Sequence, residues 1–138
     1  MKMHHIGFVC RENDINKFFF SPKKKFIYID KVQKNKIIIG LNNRDSLWYE
    51  FIIPQSKKST VYNYYKKNGA SIHHLAYYVK NFHQVLKKYK SKKNYTFIKK
   101  FNPNIPCFGG KLKTAFFYNN NIFIEFLTNE KKSKKSVS

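Results

Sequence analysis

The sequence predicts an α+β domain built twice, each copy running strand, helix, then three strands. Three observations predict it. His4-His5-Ile6-Gly7-Phe8-Val9 returns as His73-His74-Leu75-Ala76-Tyr77-Tyr78-Val79. Each copy is followed, at nearly the same distance, by one carboxylate inside an apolar run: Glu50 in Leu47–Ile53 and Glu125 in Ile122–Leu127. The second histidines lie 69 residues apart and the glutamates 75, which suggests two pseudo-symmetric halves. The apolar content rests on Phe, Tyr and Ile, residues that favour strands over helices.

The elements follow in order. Residues 3–10 read as an apolar strand, and Asp14 as the cap of a short helix running to about residue 20, stopped by Ser21-Pro22. Residues 26–30, 36–41 and 47–53 are the next three strands, the last two separated by the turn Asn42-Asn43-Arg44-Asp45 and the last ended by Pro54. Val61, Tyr64 and Tyr65 have helical spacing within residues 59–68, and Asn68-Gly69 is a helix stop. The second copy then gives a strand over 72–79 and a helix over 82–89 with Phe82, Val85, Leu86 and Tyr89 on one face. A strand over 95–99 and a loop with Pro103, Pro106 and Gly109-Gly110 follow. Strands over 112–118 and 122–127 close a hairpin across Asn119-Asn120-Asn121. The division expected is one domain over 1–128, with module 1 about 1–54, a linker helix about 55–69 and module 2 about 70–128. Residues 129–138 read as a disordered Lys/Ser-rich tail.

Composition narrows the function. No run reaches the roughly 18 apolar residues that a membrane span needs. The opening Met1-Lys2-Met3-His4-His5 has no signal-peptide stretch, and Cys10 and Cys107 suggest no disulfide framework, so a cytoplasmic protein with free thiols is expected. The net charge of +21 would ordinarily point to nucleic acid. Yet all but Arg11 and Arg44 of the 28 basic residues are lysine, spread among Asn, Tyr and Ile. All of these have A/T-rich codons, so base composition is the first reading of the charge. A surface that attracts an anionic substrate is the second.

Alternation puts one histidine of each adjacent pair on each sheet face. His5 and His74 taken singly are more often hydrogen-bonded core residues than ligands. The glutamates are more telling: Glu50 shares its face with Trp48 and Ile52, and Glu125 with Phe123 and Leu127. An ionised carboxylate among such neighbours is costly unless it is paired or coordinating, with a lysine salt bridge the bland alternative. Together, two histidines and two carboxylates at duplicated positions read as ligands of Fe, Mn, Co, Ni or Zn. Tyr49, Tyr77, Phe117 and Trp48 read as core rather than pocket lining. His4 and His73 are expected to face away from the metal, and His83 to lie on the surface.

These residues resemble the vicinal oxygen chelate superfamily, most nearly its methylmalonyl-CoA epimerase-like branch. The resemblance lies in His5-Ile6-Gly7-Phe8-Val9 and in the block from Glu50-Phe51-Ile52-Ile53-Pro54 through Gly69 to His73-His74-Leu75-Ala76-Tyr77. Gly109-Gly110 with Phe123-Ile124-Glu125-Phe126 completes it, over about residues 3–128. It implies two βαβββ modules forming a curved, partly open mixed sheet around a metal held by His5, Glu50, His74 and Glu125. Epimerases of this branch use a further glutamate as base, just ahead of the strand before the Glu50-type strand. Here that stretch is Lys31-Val32-Gln33-Lys34-Asn35, with Asp30 the nearest carboxylate.

The expected function is a divalent-metal-dependent isomerase, epimerase or lyase that stabilises the enolate of a small acyl or α-oxo substrate. In the glyoxalase-like variant a ligand glutamate doubles as base, which makes Glu125 or Glu50 the catalytic candidate and Asp30 a weaker one. The expected partners are a small molecule, anionic or coenzyme A-linked, and a second copy of the chain, with no membrane. The alternative is a non-catalytic binding protein of the same fold, of the drug-sequestering type, against which an intact ligand set weighs. Nucleic acid is the third and least favoured partner.

Overall fold

The computed structural model describes residues 1–130, so the expected tail lies outside the described residues from position 131 on. Asn129, placed in that tail by the sequence reading, instead closes the last strand. The chain forms two compact units, His5–His73 and the remainder from His74 together with Met1–His4.

The first unit contains β1 (Lys2–Val9, whose first residues belong to the other unit), a 3-10 helix at Glu12–Phe18, β2 (Pro22–Asp30), β3 (Asn35–Asn42), β4 (Trp48–Pro54) and α1 (Tyr62–Asn68). Its strands are ordered β2-β3-β4-β1, with β1 parallel to β4 and the other pairs antiparallel. A parallel neighbour needs a long crossover, which the intervening β2–β3 excursion supplies. Two details differ from the sequence expectation. The first helix is 3-10, and Asp14 is not its cap but its third residue, accepting the Arg11 N–H at 3.1 Å. Asn13, Asp14 and Asn16 compete locally for backbone hydrogen bonds, and Phe19 at φ 55° ends the helix before Ser21-Pro22 is reached. β2 begins four residues before the predicted Phe26. Lys23, Lys24 and Lys25 hid its start, because an edge strand carries charge without an apolar alternation. Phe8, Cys10, Ile38, Phe51 and Ile53 form the buried core on one sheet face, capped by Ile15, Phe18 and Phe20 and joined by Tyr49.

The second unit repeats the plan with β5 (Ser71–Tyr78, whose first three residues belong to the first unit), α2 (Phe82–Lys90), β6 (Thr96–Phe101), the two-residue β7 (Asn104–Ile105), β8 (Gly110–Asn119) and β9 (Ile122–Asn129). The order is β5-β9-β8-β6, with β5 parallel to β9 and β7 paired beside β8. Asn120 and Asn121 take φ of 50° and 67° between β8 and β9, the left-handed pair that a two-residue hairpin of this kind demands. Inside the predicted loop, Pro106–Phe108 make a 3-10 turn beside β7. Phe82, Leu86 and Tyr89 of α2 close over Val79, Ala115, Phe117, Ile124 and Phe126, with Tyr77 at the margin. Phe117 is therefore core, as read from the sequence, while Tyr49 and Tyr77 are half-buried at the margins of their clusters. Trp48 is not core: it stands on the opposite face, against Phe26 at 6.3 Å.

The duplication extends to single hydrogen bonds. Cys10 N–H donates to the Ile52 carbonyl at 3.2 Å, and its counterpart Val79 N–H donates to the Leu127 carbonyl at 2.9 Å. Burial, with the Asp14 carboxylate adding to it, pushes the Cys10 thiol up to about 12. Because the thiolate is the reactive form, the native protein at pH 8 should release one equivalent from a disulfide reagent, from half-buried Cys107, and two after denaturation. Two equivalents from the native state would mean that the core around Cys10 opens readily.

Candidate metal centre

In β1, residues 5, 7 and 9 share a face, and register partners across a sheet point the same way. The β1–β4 pairing sets His5 beside Trp48 and Gly7 beside Glu50. His5 and Glu50 therefore occupy one face of the first unit, one step apart on a diagonal, opposite the Phe8/Phe51 core. The β5–β9 pairing is its duplicate: His74 lies beside Phe123 and Ala76 beside Glu125. In both units the position flanking the glutamate is Gly or Ala, the smallest side chains available.

Within each unit the imidazole meets the carboxylate. His5 Nε2 stands 3.9 Å from Glu50 Oε1, and His74 Nε2 stands 3.4 Å from Glu125 Oε1. The four residues are 2%, 7%, 1% and 6% exposed, respectively His5, Glu50, His74 and Glu125. The bland alternative was a lysine partner for each carboxylate. The structure sets a histidine against each. These separations are long for a hydrogen bond, but two donors sharing a cation at roughly 2.1 Å each stand about 3 Å apart. Buried imidazole nitrogen with carboxylate oxygen also suits a borderline divalent ion, so the residues present fit the metal that the sequence implies.

The other histidines lie as the alternation requires. His4 meets the Phe108 ring edge-on at 4.6 Å, His73 meets Tyr64 at 4.9 Å, and His83 is exposed on α2. Asp30 Oδ1 accepts the Gln33 N–H at 3.0 Å and closes the β2–β3 turn. Gln33 receives the Thr60 hydroxyl and buried Asn35 the Ser59 hydroxyl, so the stretch that carries the base in the resembled epimerases presents tied amides.

Two neighbours were missed by sequence reasoning. Ile39 lies across from Glu50, and Phe116 across from Glu125, with the Phe116 ring edge-on to His74 at 5.3 Å and stacked on Phe101 at 5.5 Å. The signal for Phe116 was available: a two-residue Asn120-Asn121 turn fixes the hairpin register and sets residue 116 opposite 125.

No family model matches the chain, and no curated protein matches its sequence. Solved structures do match. A methylmalonyl-CoA epimerase from Mycobacterium tuberculosis superposes with a TM-score of 0.70 at 12% identity, covering 99% of this chain and 92% of that one. A variant methylmalonyl-CoA epimerase of Streptomyces coelicolor in complex with 2-nitronate-propionyl-CoA gives 0.70 at 16% identity, over 94% and 95%. A hypothetical protein from Bacillus halodurans gives 0.67 at 22%, over 94% of each chain. The chain thus has the α+β fold of these methylmalonyl-CoA epimerase structures.

The small residue beside each glutamate makes a test. Ala76 is fully buried at Glu125's flank. Ala76→Leu should cost about 1–3 kcal/mol in urea unfolding by overpacking the row. An unchanged midpoint would mean that the row is loosely filled and that the small side chain is incidental.

Proposed function

We propose that the two His–Glu pairs together hold one divalent cation through His5, Glu50, His74 and Glu125. The protein would then be an isomerase or epimerase that moves a proton beside the carbonyl of a small acyl or α-oxo substrate. The observation that supports this is the identical placing of a buried His–Glu pair, with a small residue at its flank, in both units. Bound there, a divalent cation would polarise the substrate carbonyl and stabilise enolate charge.

The chain's own residues do the rest. The imidazoles, neutral when they coordinate, orient through fixed strand positions. The Phe123, Phe116 and Trp48 side chains line the same faces and limit water. One carboxylate oxygen of Glu125 or Glu50 takes the proton from the substrate carbon next to the carbonyl. In an epimerase the other glutamate, protonated from solvent, would supply a proton to the opposite face of that carbon; in an isomerase the first glutamate, exchanged with solvent, would deliver one to the neighbouring oxygen-bearing carbon. Asp30 is the weaker candidate because the Gln33 backbone N–H holds its side chain in a turn. The Streptomyces structure binds a coenzyme A-linked molecule, which sets acyl-coenzyme A esters first among substrates to try. A cytoplasmic homodimer, as expected from the sequence, is part of the same proposal.

A second reading rests on the tied amides at Gln33 and Asn35. A protein that keeps the fold and the ligands but presents no carboxylate at that stretch could bind the same class of molecule without turning it over. Metal-loaded protein in D2O, given methylmalonyl-CoA and a panel of α-oxo acids, decides between them by mass spectrometry. The catalytic reading expects deuterium at the substrate's acidic carbon, falling at least about 10²-fold in Glu125→Gln or Glu50→Gln. No exchange from fully loaded protein would leave the binding reading.

A further inference from the structure

The second unit carries a surface that the metal centre does not use. Residues 74–130 contain ten lysines and two carboxylates, the buried Glu125 and Glu130 just past β9. Seven of the lysines fall between positions 87 and 100, and all seven are exposed: Lys87, Lys88 and Lys90 in the last turn of α2, Lys92 and Lys93 in the turn after it, and Lys99 and Lys100 on β6. Base composition accounts for many lysines but not for the scarcity of carboxylates, since residues 5–73 of the same chain hold five, Glu12, Asp14, Asp30, Asp45 and Glu50.

The same segment exposes apolar surface among the charges. Phe97 and Ile98 are 38% and 46% exposed on β6, the terminal strand of its unit. Lys90 Nζ lies 4.3 Å from the Phe97 ring centre, Lys92 Nζ 4.7 Å from that of Tyr89, and Lys99 Nζ 5.0 Å from that of Phe101. Of these three rings Phe97 is the exposed one, Phe101 is half-buried and Tyr89 is buried in the core.

We propose that this edge of the second unit binds single-stranded polynucleotide, with phosphates following the lysines of α2, the 91–95 turn and β6, and bases resting against Phe97. Stacking surface interleaved with lysines, without base-reading side chains, is how strands are bound irrespective of sequence. Other occupants fit less well. A second copy or an added peptide strand meets the irregular pairing between Phe97 and Lys99, which interrupts β6, and a second copy also meets like charge. A duplex groove would need an inserted helix, whereas α2 buries Phe82, Leu86 and Tyr89 in its own core. Residues 74–129 also include no arginine to read guanine.

The test is fluorescence anisotropy of a labelled oligothymidylate with the full chain across a salt series, which needs neither metal nor substrate and so stands apart from the enzymatic reading. Binding should weaken with a log–log slope of about −3, as for roughly four phosphate contacts on a single strand. Combined Lys90→Gln, Lys92→Gln, Lys99→Gln and Lys100→Gln should weaken it at least about 10-fold, and Phe97→Ala about 5-fold or more. A matched set in the first unit, Lys23→Gln, Lys24→Gln, Lys57→Gln and Lys58→Gln, should change it less than about 3-fold. Equal losses from both sets would show attraction by total charge and overturn the proposal. So would binding that neither set reduces, binding that ignores salt, or displacement of the oligonucleotide by phosphatidylserine vesicles at lower phosphate concentration.

Discussion

Each unit has to keep a carboxylate out of water, and much of its architecture serves that requirement. An ionised carboxylate taken into a protein interior without a partner costs several kcal/mol or more. The partner here is a histidine from a strand about forty-five to fifty residues away in sequence, brought alongside by parallel pairing, β1 with β4 and β5 with β9. Parallel pairing demands a long connection, provided by the 3-10 helix, β2 and β3 in the first unit and by α2, β6, β7 and β8 in the second. The flanking position must be small, and it is Gly7 in one unit and Ala76 in the other. Behind the pair, the Phe8/Phe51 and Phe117/Phe126 clusters fix the register, since a slip of one residue would turn the glutamate into the aromatic core.

Outside that row the two copies have diverged. The nine-residue α2 seals its sheet with three buried side chains, while the equivalent segment of the first unit is a 3-10 helix that buries none. Ile39 stands where its counterpart unit has Phe116 across from the glutamate. The constraint on pairing register outlasts the constraint on residue identity. The same holds beyond this chain, where structures 12–22% identical superpose at TM-scores near 0.7.

The fold was legible because alternation and turn chemistry agree along most of the chain. Glu50 between Trp48 and Ile52 announced an inward carboxylate, Asn68-Gly69 marked a stop, and Asn119-Asn120-Asn121 marked a turn, although Asn119 itself ends β8. What escaped has a common cause, which is side chains answering to their neighbours across the sheet. Lys23–Lys25 look like loop in one dimension and are strand because β3 pairs with Lys24 and Lys25, with Lys23 at a register shift. Asp14 resembles a cap but binds the backbone from three residues inside the helix. Trp48 resembles core by composition, yet its parity puts it on the face of His5. Asp30 was read as a candidate base from its position alone, and only the fold reveals that its oxygen is held by Gln33.

The central claim is that two half-sites act as one. Elemental analysis with calorimetric titration of cobalt or zinc into metal-free protein addresses it directly. One ion per chain is the predicted result, with affinity weakened about 10–100-fold or more by each of His5→Ala, Glu50→Gln, His74→Ala and Glu125→Gln. Two independent ions per chain, or none, would contradict it, as would loss confined to the residues of a single unit.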